Sequence, residues 1–328
     1  MLRRTIIMAA AAMVAAASFT GLSTAVAADS GGNGKLISII VNDPSNPYWR
    51  TEGQVAATEA RSLGYKANVA AHKGDTNTER NLVDTAITNH SAAIILDPAN
   101  ADGSIGSVKK AVQAGIPVFL VNAEINQKGL AKAQLVSNNA QGAALGAQQW
   151  VQAVGDDAKY VELKGAPSDN NAATRSNGYR TVLSQYPNLK KVASQVANWD
   201  RTQGHDKMQG MLQANPNIDG VISGNDEMAL GAIAALKEAG KLKGITVGGF
   251  DGSPDAVDAV KSGELAYTVL QPVAVFSKKA VQEADQYIKN GNTGVDKEKQ
   301  LFDCVLITQD NADDMVAPFT LKSMQSDS

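Results

Sequence analysis

The sequence predicts an α/β protein of two doubly wound, parallel-sheet domains. Three observations lead there. Apolar runs of strand length alternate with stretches of helical period along nearly all of the chain beyond residue 28. The runs are too many for one comfortable sheet, and they fall into two similar halves. An Asn, Asp or Gln follows many of them, at the strand ends beyond which open α/β sheets bind ligands.

Residues 1–28 read as a leader rather than as part of the fold. Arg3 and Arg4 supply its positive start, residues 6–17 its apolar middle, and Ala25-Val26-Ala27 or Val26-Ala27-Ala28 its small-residue cleavage site. The apolar middle is too short and alanine-rich for a membrane anchor. Arg3-Arg4 invites a twin-arginine reading, but its ordinary flanks favour general secretion. No cysteine near the cleavage site offers a lipid attachment point, so the mature chain is expected free in the periplasm.

The first element is the strand Leu36-Ile37-Ser38-Ile39-Ile40-Val41, apolar and Ile/Val-rich as a buried parallel strand should be. Thr51 opens a predicted helix that Gly64 ends. Between them lies Asn42-Asp43-Pro44-Ser45-Asn46-Pro47-Tyr48-Trp49-Arg50, read as a strand-to-helix loop. Two prolines stiffen it, its amides can donate and accept, and its two aromatics offer flat apolar faces. Taken alone, it could equally be a loop whose aromatics fold back onto the core.

The alternation then continues. Strands are expected at 65–71, 92–96 and 116–121, with helices at 78–89 and 104–114. Residues 130–136 read as a connection into a helix at 140–154. The second half brings strands at 160–163, 191–196, 220–222, 245–247 and 266–270, and helices at 178–185, 202–214, 227–239 and 255–260. A long helix at 273–289 and a strand around Cys304 close the pattern. The one cysteine rules out an internal disulfide and reads as a small buried strand residue.

The strand ends carry the candidate site. Asn42 and Asn46 follow the first strand, Asp97 the third and Asn122 the fourth; Asn198-Trp199-Asp200, Asn225-Asp226, Asp251 and Gln271 hold the same place in the second half. Helix capping explains many such residues, and Asp226 and Ser253 are read as caps only. Capping does not call for Trp199 or for the Tyr48-Trp49 pair. Aromatic faces together with amides, carboxylates and the Arg175 guanidinium describe a carbohydrate site, where C–H faces lie on rings and hydroxyls exchange hydrogen bonds with polar side chains.

Other chemistries lack their residues. A net charge of −3 offers no basic face for nucleic acid. There is no P-loop, no dinucleotide fingerprint and no Gly-x-Ser-x-Gly elbow. Gly248-Gly249-Phe250-Asp251-Gly252 suits a tight strand end better than a phosphate cradle. His72, His90 and His205 are scattered and read as surface or helix-end residues, not as metal ligands.

Asn225-Asp226-Glu227-Met228-Ala229-Leu230-Gly231 and Val247-Gly248-Gly249-Phe250-Asp251-Gly252-Ser253-Pro254-Asp255 resemble signature segments of the type I periplasmic sugar-binding proteins, close to the ribose-binding branch. The resemblance runs from about Lys35 to Ile307. It implies two α/β domains joined by three crossover strands, near Ser137-Asn138, Gln271-Pro272 and Asp303. The domains would comprise residues 29–137 plus 272–303, and 138–271 plus 304–328. They would close on a small sugar or sugar alcohol and deliver it to an ABC transporter permease. Position by position, the resemblance makes Asn46, Tyr48, Trp49, Asn122, Arg175, Trp199, Asn225, Asp251 and Gln271 the ligand-binding residues.

It implies a monomer with no cofactor, no metal and no enzymatic activity. A receptor passing a sugar or furanosyl signal to a chemotaxis transducer would use the same fold. Sugar-responsive repressors share the core too, but carry a helix-turn-helix where this chain has its leader. One departure stands out: close relatives carry an Asp-Arg pair where this chain has Asn122-Ala123. Either a small pentose or sugar alcohol or a bulkier sugar filling the space arginine left fits this change; the former, with ribose a poor ligand, is the expectation, although Glu124 turning inward would restore a carboxylate.

Overall fold

The computed structural model describes residues 32–325, so the leader lies outside the described residues. The first half forms β1 (Leu36–Val41), α1 (Pro47–Ser62), β2 (Lys66–Ala71), α2 (Thr76–Thr88), β3 (Ala93–Leu96), α3 (Ile105–Gln113), β4 (Val118–Val121) and β5 (Ala133–Ser137). The second half continues with α4 (Asn139–Val154), β6 (Asp157–Lys164), α5 (Asn170–Leu183), β7 (Asn188–Val196), α6 (Arg201–Ala214), β8 (Gly220–Ser223) and α7 (Asp226–Glu238). Then come β9 (Thr246–Gly248), α8 (Pro254–Lys261), β10 (Thr268–Leu270), α9 (Val273–Asn290), β11 (Lys299–Phe302) and β12 (Val305–Ile307). A short hairpin, β13 (Met315–Ala317) and β14 (Thr320–Leu321), follows.

These strands make two separate parallel sheets. The first has the order β11-β5-β4-β3-β1-β2, and the second β7-β6-β8-β9. Parallel bridges Gly248–Tyr267 and Asp251–Leu270 bring β10 alongside the second sheet, and β12 pairs antiparallel with β10. The chain therefore passes between the sheets three times: from β5 into α4, from β10 into α9, and between β11 and β12. α9 packs on α1 and on β5, which anchors that passage to the first sheet.

Burial on both faces explains the apolar runs. Ile37, Ile39 and Val41 of β1 join the core under α1 and α9, whereas Ile40 joins the core shared with α2 and α3. Each side chain so buried contributes roughly 1.5–3 kcal/mol. A strand feeding two cores has no polar face to show, which is why β1, β3 and β4 read as continuous apolar runs.

Several elements differ from the sequence reading. α1 starts at Pro47 rather than Thr51, so Tyr48 and Trp49 form its first turn instead of a loop. Asn46 caps it by accepting the Tyr48 N–H at 2.9 Å, and Pro47 stands where a missing N–H costs nothing. α5 begins at Asn170, capped by Asp169; its first two turns carry too little apolar period to be seen in the sequence. Residues 133–137 are a buried strand, not a connection. The Cys304 segment is two strands in two different sheets, and Cys304 lies in the break between them, buried but not in a strand. Burial pushes its thiol up to about 12.

Candidate functional site

The carboxyl ends of the two sheets face one cavity. All nine residues expected to bind ligand line it: Asn46, Tyr48, Trp49 and Asn122 on the first-sheet side, Arg175, Trp199, Asn225 and Asp251 on the second, and Gln271 at the β10–α9 crossing. Asp169 and Asn171 complete the lining. The space measures about 20 Å³, room for a water rather than a sugar. Asn46, Trp49, Asn122, Asp169 and Trp199 also line a larger cavity of about 510 Å³ outside it, together with Asp97. A sugar must therefore displace side-chain contacts that now span the inner space.

On the first-sheet side a relay runs from α1 to two strand ends. The Tyr48 hydroxyl donates to Asn122 Oδ1 at 3.0 Å, and Asn122 Nδ2 donates to Asp97 Oδ2 at 3.1 Å. Asn122 adopts left-handed backbone (φ 61°), a region Asn tolerates better than most residues. Burial pushes the Asp97 carboxyl well above its usual range, while the Asn122 amide pulls it back down. Behind Asp97, His72 is 1% exposed, not the surface residue the sequence suggested. Its Nδ1 accepts the Gly74 N–H and its Nε2 lies 2.7 Å from the Asp97 carbonyl, which fixes a neutral tautomer with Nε2–H donating. Glu124 does not turn inward: it pairs with Lys299 at 2.9 Å.

On the second-sheet side Arg175 is the hub. Its Nε donates to Asn139 Oδ1 at 2.7 Å, and its Nη1 to the Gly224 carbonyl at 2.8 Å and to Asp251 Oδ1 at 3.3 Å. The guanidinium lies 3.9 Å from the Phe250 ring centroid and 5.2 Å from that of Trp199. Gln271 Nε2 donates to Asp251 Oδ1 at 2.7 Å. Burial and nearby Asp226 push the Asp251 carboxyl up, against the pull of Arg175. Asn198 and Trp199 are both left-handed (φ 50° and 67°), and this turn swings the indole over Gly165 and Gly224.

Asn225 caps α7 by accepting the Met228 N–H, and its Nδ2 donates to the Trp199 carbonyl. Asp226 is therefore not the cap the sequence suggested. Its carboxylate accepts the Ser253 N–H at 2.7 Å and the Thr268 hydroxyl at 2.6 Å, tying α7 to α8 and β10.

Amides link the two sides directly. Asn171 Nδ2 donates to the Asn122 carbonyl at 3.1 Å, and Asn171 Oδ1 accepts from Asn139 Nδ2 at 2.9 Å. Sequence reasoning missed Asn139, Asn171 and Phe250 as site residues. The two asparagines lie at the starts of α4 and α5, where the sequence reading gave them no role; Phe250 sat inside a quoted motif without one. Among the described residues no group of His, Cys, Asp and Glu could hold a metal ion.

Two parallel-sheet lobes with a polar, aromatic-lined cavity at their facing strand ends define a solute-binding protein of the two-lobed kind. The periplasmic binding protein domain family matches residues 37–293, and the chain belongs to that family. It is 48% identical over 294 residues to the D-apiose import binding protein of Paraburkholderia graminis, covering 90% of this chain and 92% of the relative. It is 33% identical over 253 residues to the ribose import binding protein of Salmonella typhimurium, covering 77% and 84%. The crystal structure of an ABC transporter periplasmic solute-binding protein from Actinobacillus succinogenes with bound D-allose superposes with a TM-score of 0.79 at 28% identity, covering 86% of this chain and 100% of that one. The chain is thus a sugar-binding, substrate-binding protein of the ABC import class.

Proposed function

We propose that the ligand is a small pentose of the D-apiose kind, held between the lobes and passed to an ABC permease in the inner membrane. The Tyr48–Asn122–Asp97 relay carries this reading. It replaces the Asp-Arg pair of ribose-binding relatives with one amide whose oxygen and nitrogen are both already engaged. The 48% identity to a D-apiose import binding protein points the same way. In this reading the mature chain works as a periplasmic monomer without enzymatic activity. Its domains are residues 29–137 plus 272–303, and 138–271 plus 304–328. The nine expected residues among those lining the inner cavity contact the sugar.

Opening and closing of the lobes supplies the volume that the inner cavity lacks, and ligand shifts that equilibrium toward the closed form. A thermal-shift panel of D-apiose, other pentoses, hexoses and sugar alcohols tests the reading, because a ligand that binds only the folded state raises its stability. D-apiose is expected to give the largest shift, with a smaller radius of gyration by small-angle scattering. A panel in which hexoses stabilise and D-apiose does not would overturn the ligand class; unchanged scattering with a bound sugar would overturn the closure. Incubation without sugar turnover is the expected result of an activity assay.

A further inference from the structure

We propose that the indole N–H of Trp49 and the carboxylate of Asp97 clamp one ligand hydroxyl between them, with the hydroxyl accepting from Trp49 and donating to Asp97. The inference rests on the sugar-binding reading above and adds a donor that the family resemblance assigned only as an aromatic face.

Trp49 is 8% exposed and lines both cavities, yet its Nε1 is buried without a hydrogen-bond partner. An indole N–H can only donate, and a buried donor left unpaired is a standing cost that tryptophan sites normally avoid. Trp49 follows β1 and Asp97 follows β3. Those strands pair in register at Ile40 and Leu96, so Asp97 stands at the level where β1 ends. The indole lies close enough to Asp97 to help hold its carboxyl down, but not within good hydrogen-bond geometry.

Two neighbouring groups are committed to each other, while the unpartnered Glu52 carboxyl is buried off both cavity linings. The Tyr48 hydroxyl donates to Asn122, and Asn122 Nδ2 occupies Asp97 Oδ2. The cavity wall at this end thus pairs the Trp49 donor with the Asp97 carboxyl, a combination that a sugar hydroxyl satisfies at once and an apolar group does not.

Titration calorimetry of the full mature chain with D-apiose, on the wild type, Trp49→Phe, Asp97→Asn and the double variant, tests this. Phe keeps the ring face and removes the N–H. Trp49→Phe is expected to weaken binding about 5- to 50-fold. The double variant should be within about twofold of Asp97→Asn, since one hydroxyl carries both bonds. The wild type gives a reading that needs no variant to fold. Of its three indole N–H resonances, one should move downfield and gain exchange protection when sugar is added, and Trp49 should be that one. Trp49→Phe binding within about twofold of wild type, or a double variant showing both losses in full, would overturn the clamp. If D-apiose fails on the wild type while another sugar of the panel binds and shows the Trp49 dependence, the ligand identity falls and the clamp stands. If D-apiose binds wild type and Trp49→Phe alike, the clamp falls and the ligand identity stands.

Discussion

The Arg175 guanidinium carbon sits over the Phe250 ring, 3.9 Å from its centroid, while the same group bonds Asn139, the Gly224 carbonyl and Asp251. Stacking and forked donation together need a planar cation, which lysine cannot supply. Arg175→Lys should therefore cost about 1.5–3 kcal/mol in affinity and a comparable amount in stability, because Asn139, the Gly224 carbonyl and Asp251 are buried partners that lysine cannot all serve. Arg175→Ala should cost more of both, leaving Asp251 buried without its cation. Calorimetry beside denaturant unfolding checks this. Affinity lost with stability untouched would show that the network is not structural.

Gly165 lies against the indole of Trp199, and a Cβ there would come within 2.0 Å of its ring atoms. Gly165→Ala should push the indole out of place, weaken sugar binding and lower stability by about 1–3 kcal/mol. In a Trp199→Ala background the same methyl has room, so most of the penalty should vanish. A penalty that persists without the indole would assign the glycine to backbone needs instead.

How far the sequence could be read follows from these same residues. β1, β3 and β4 were legible because both of their faces are buried, so periodicity and composition agreed. The polar strand ends were legible as a set, although capping accounts for two of them, Asn46 at α1 and Asn225 at α7. Roles within the set were less so. Nothing in the sequence says that Asn122 would spend its amide on Tyr48 and Asp97, or that Asn171 would cross to its carbonyl, because those bonds join segments dozens of residues apart. The start of α1 was misplaced for a local reason: Asn-Pro is as good a helix opening as a loop, and the choice depended on the cap bond to Tyr48. β5 was missed because Gln134 and Ser137 broke its apolar run, although both are buried in the sheet.

Asp226 gives the protein a pH signature. It is fully buried, and burial pushes its carboxyl up to about 6, with bonds from Thr268 and Ser253 opposing the rise. The folded state then holds this proton more tightly than the unfolded chain does. The stabilisation is complete below about pH 4, the unfolded value, and is lost as pH rises through about 6. Asp226→Asn removes the titration, so the difference in unfolding free energy between wild type and variant should change by on the order of 2–3 kcal/mol between pH 4 and 7. Denaturant unfolding across that range measures it; parallel curves would place the Asp226 titration elsewhere.

The Asn122-Ala123 departure bears on selectivity. Ala123 is 4% exposed, so arginine has no room there without moving the strand end. Asn122 donates to Asp97 and accepts from Tyr48, and a carboxylate could do only the second while facing a buried acid. Asn122→Asp should accordingly weaken binding of any sugar by about 1–3 kcal/mol instead of converting the site to a ribose site. With no arginine fork at this end, the site offers a sugar fewer charge-assisted bonds, each worth about 1.5–3 kcal/mol. Ribose should bind at least about tenfold more weakly than D-apiose or a five-carbon sugar alcohol. Side-by-side calorimetric titrations decide the matter. Tight ribose binding together with silence from D-apiose and the four- and five-carbon alcohols would mean that Asn122 alone replaces the missing pair.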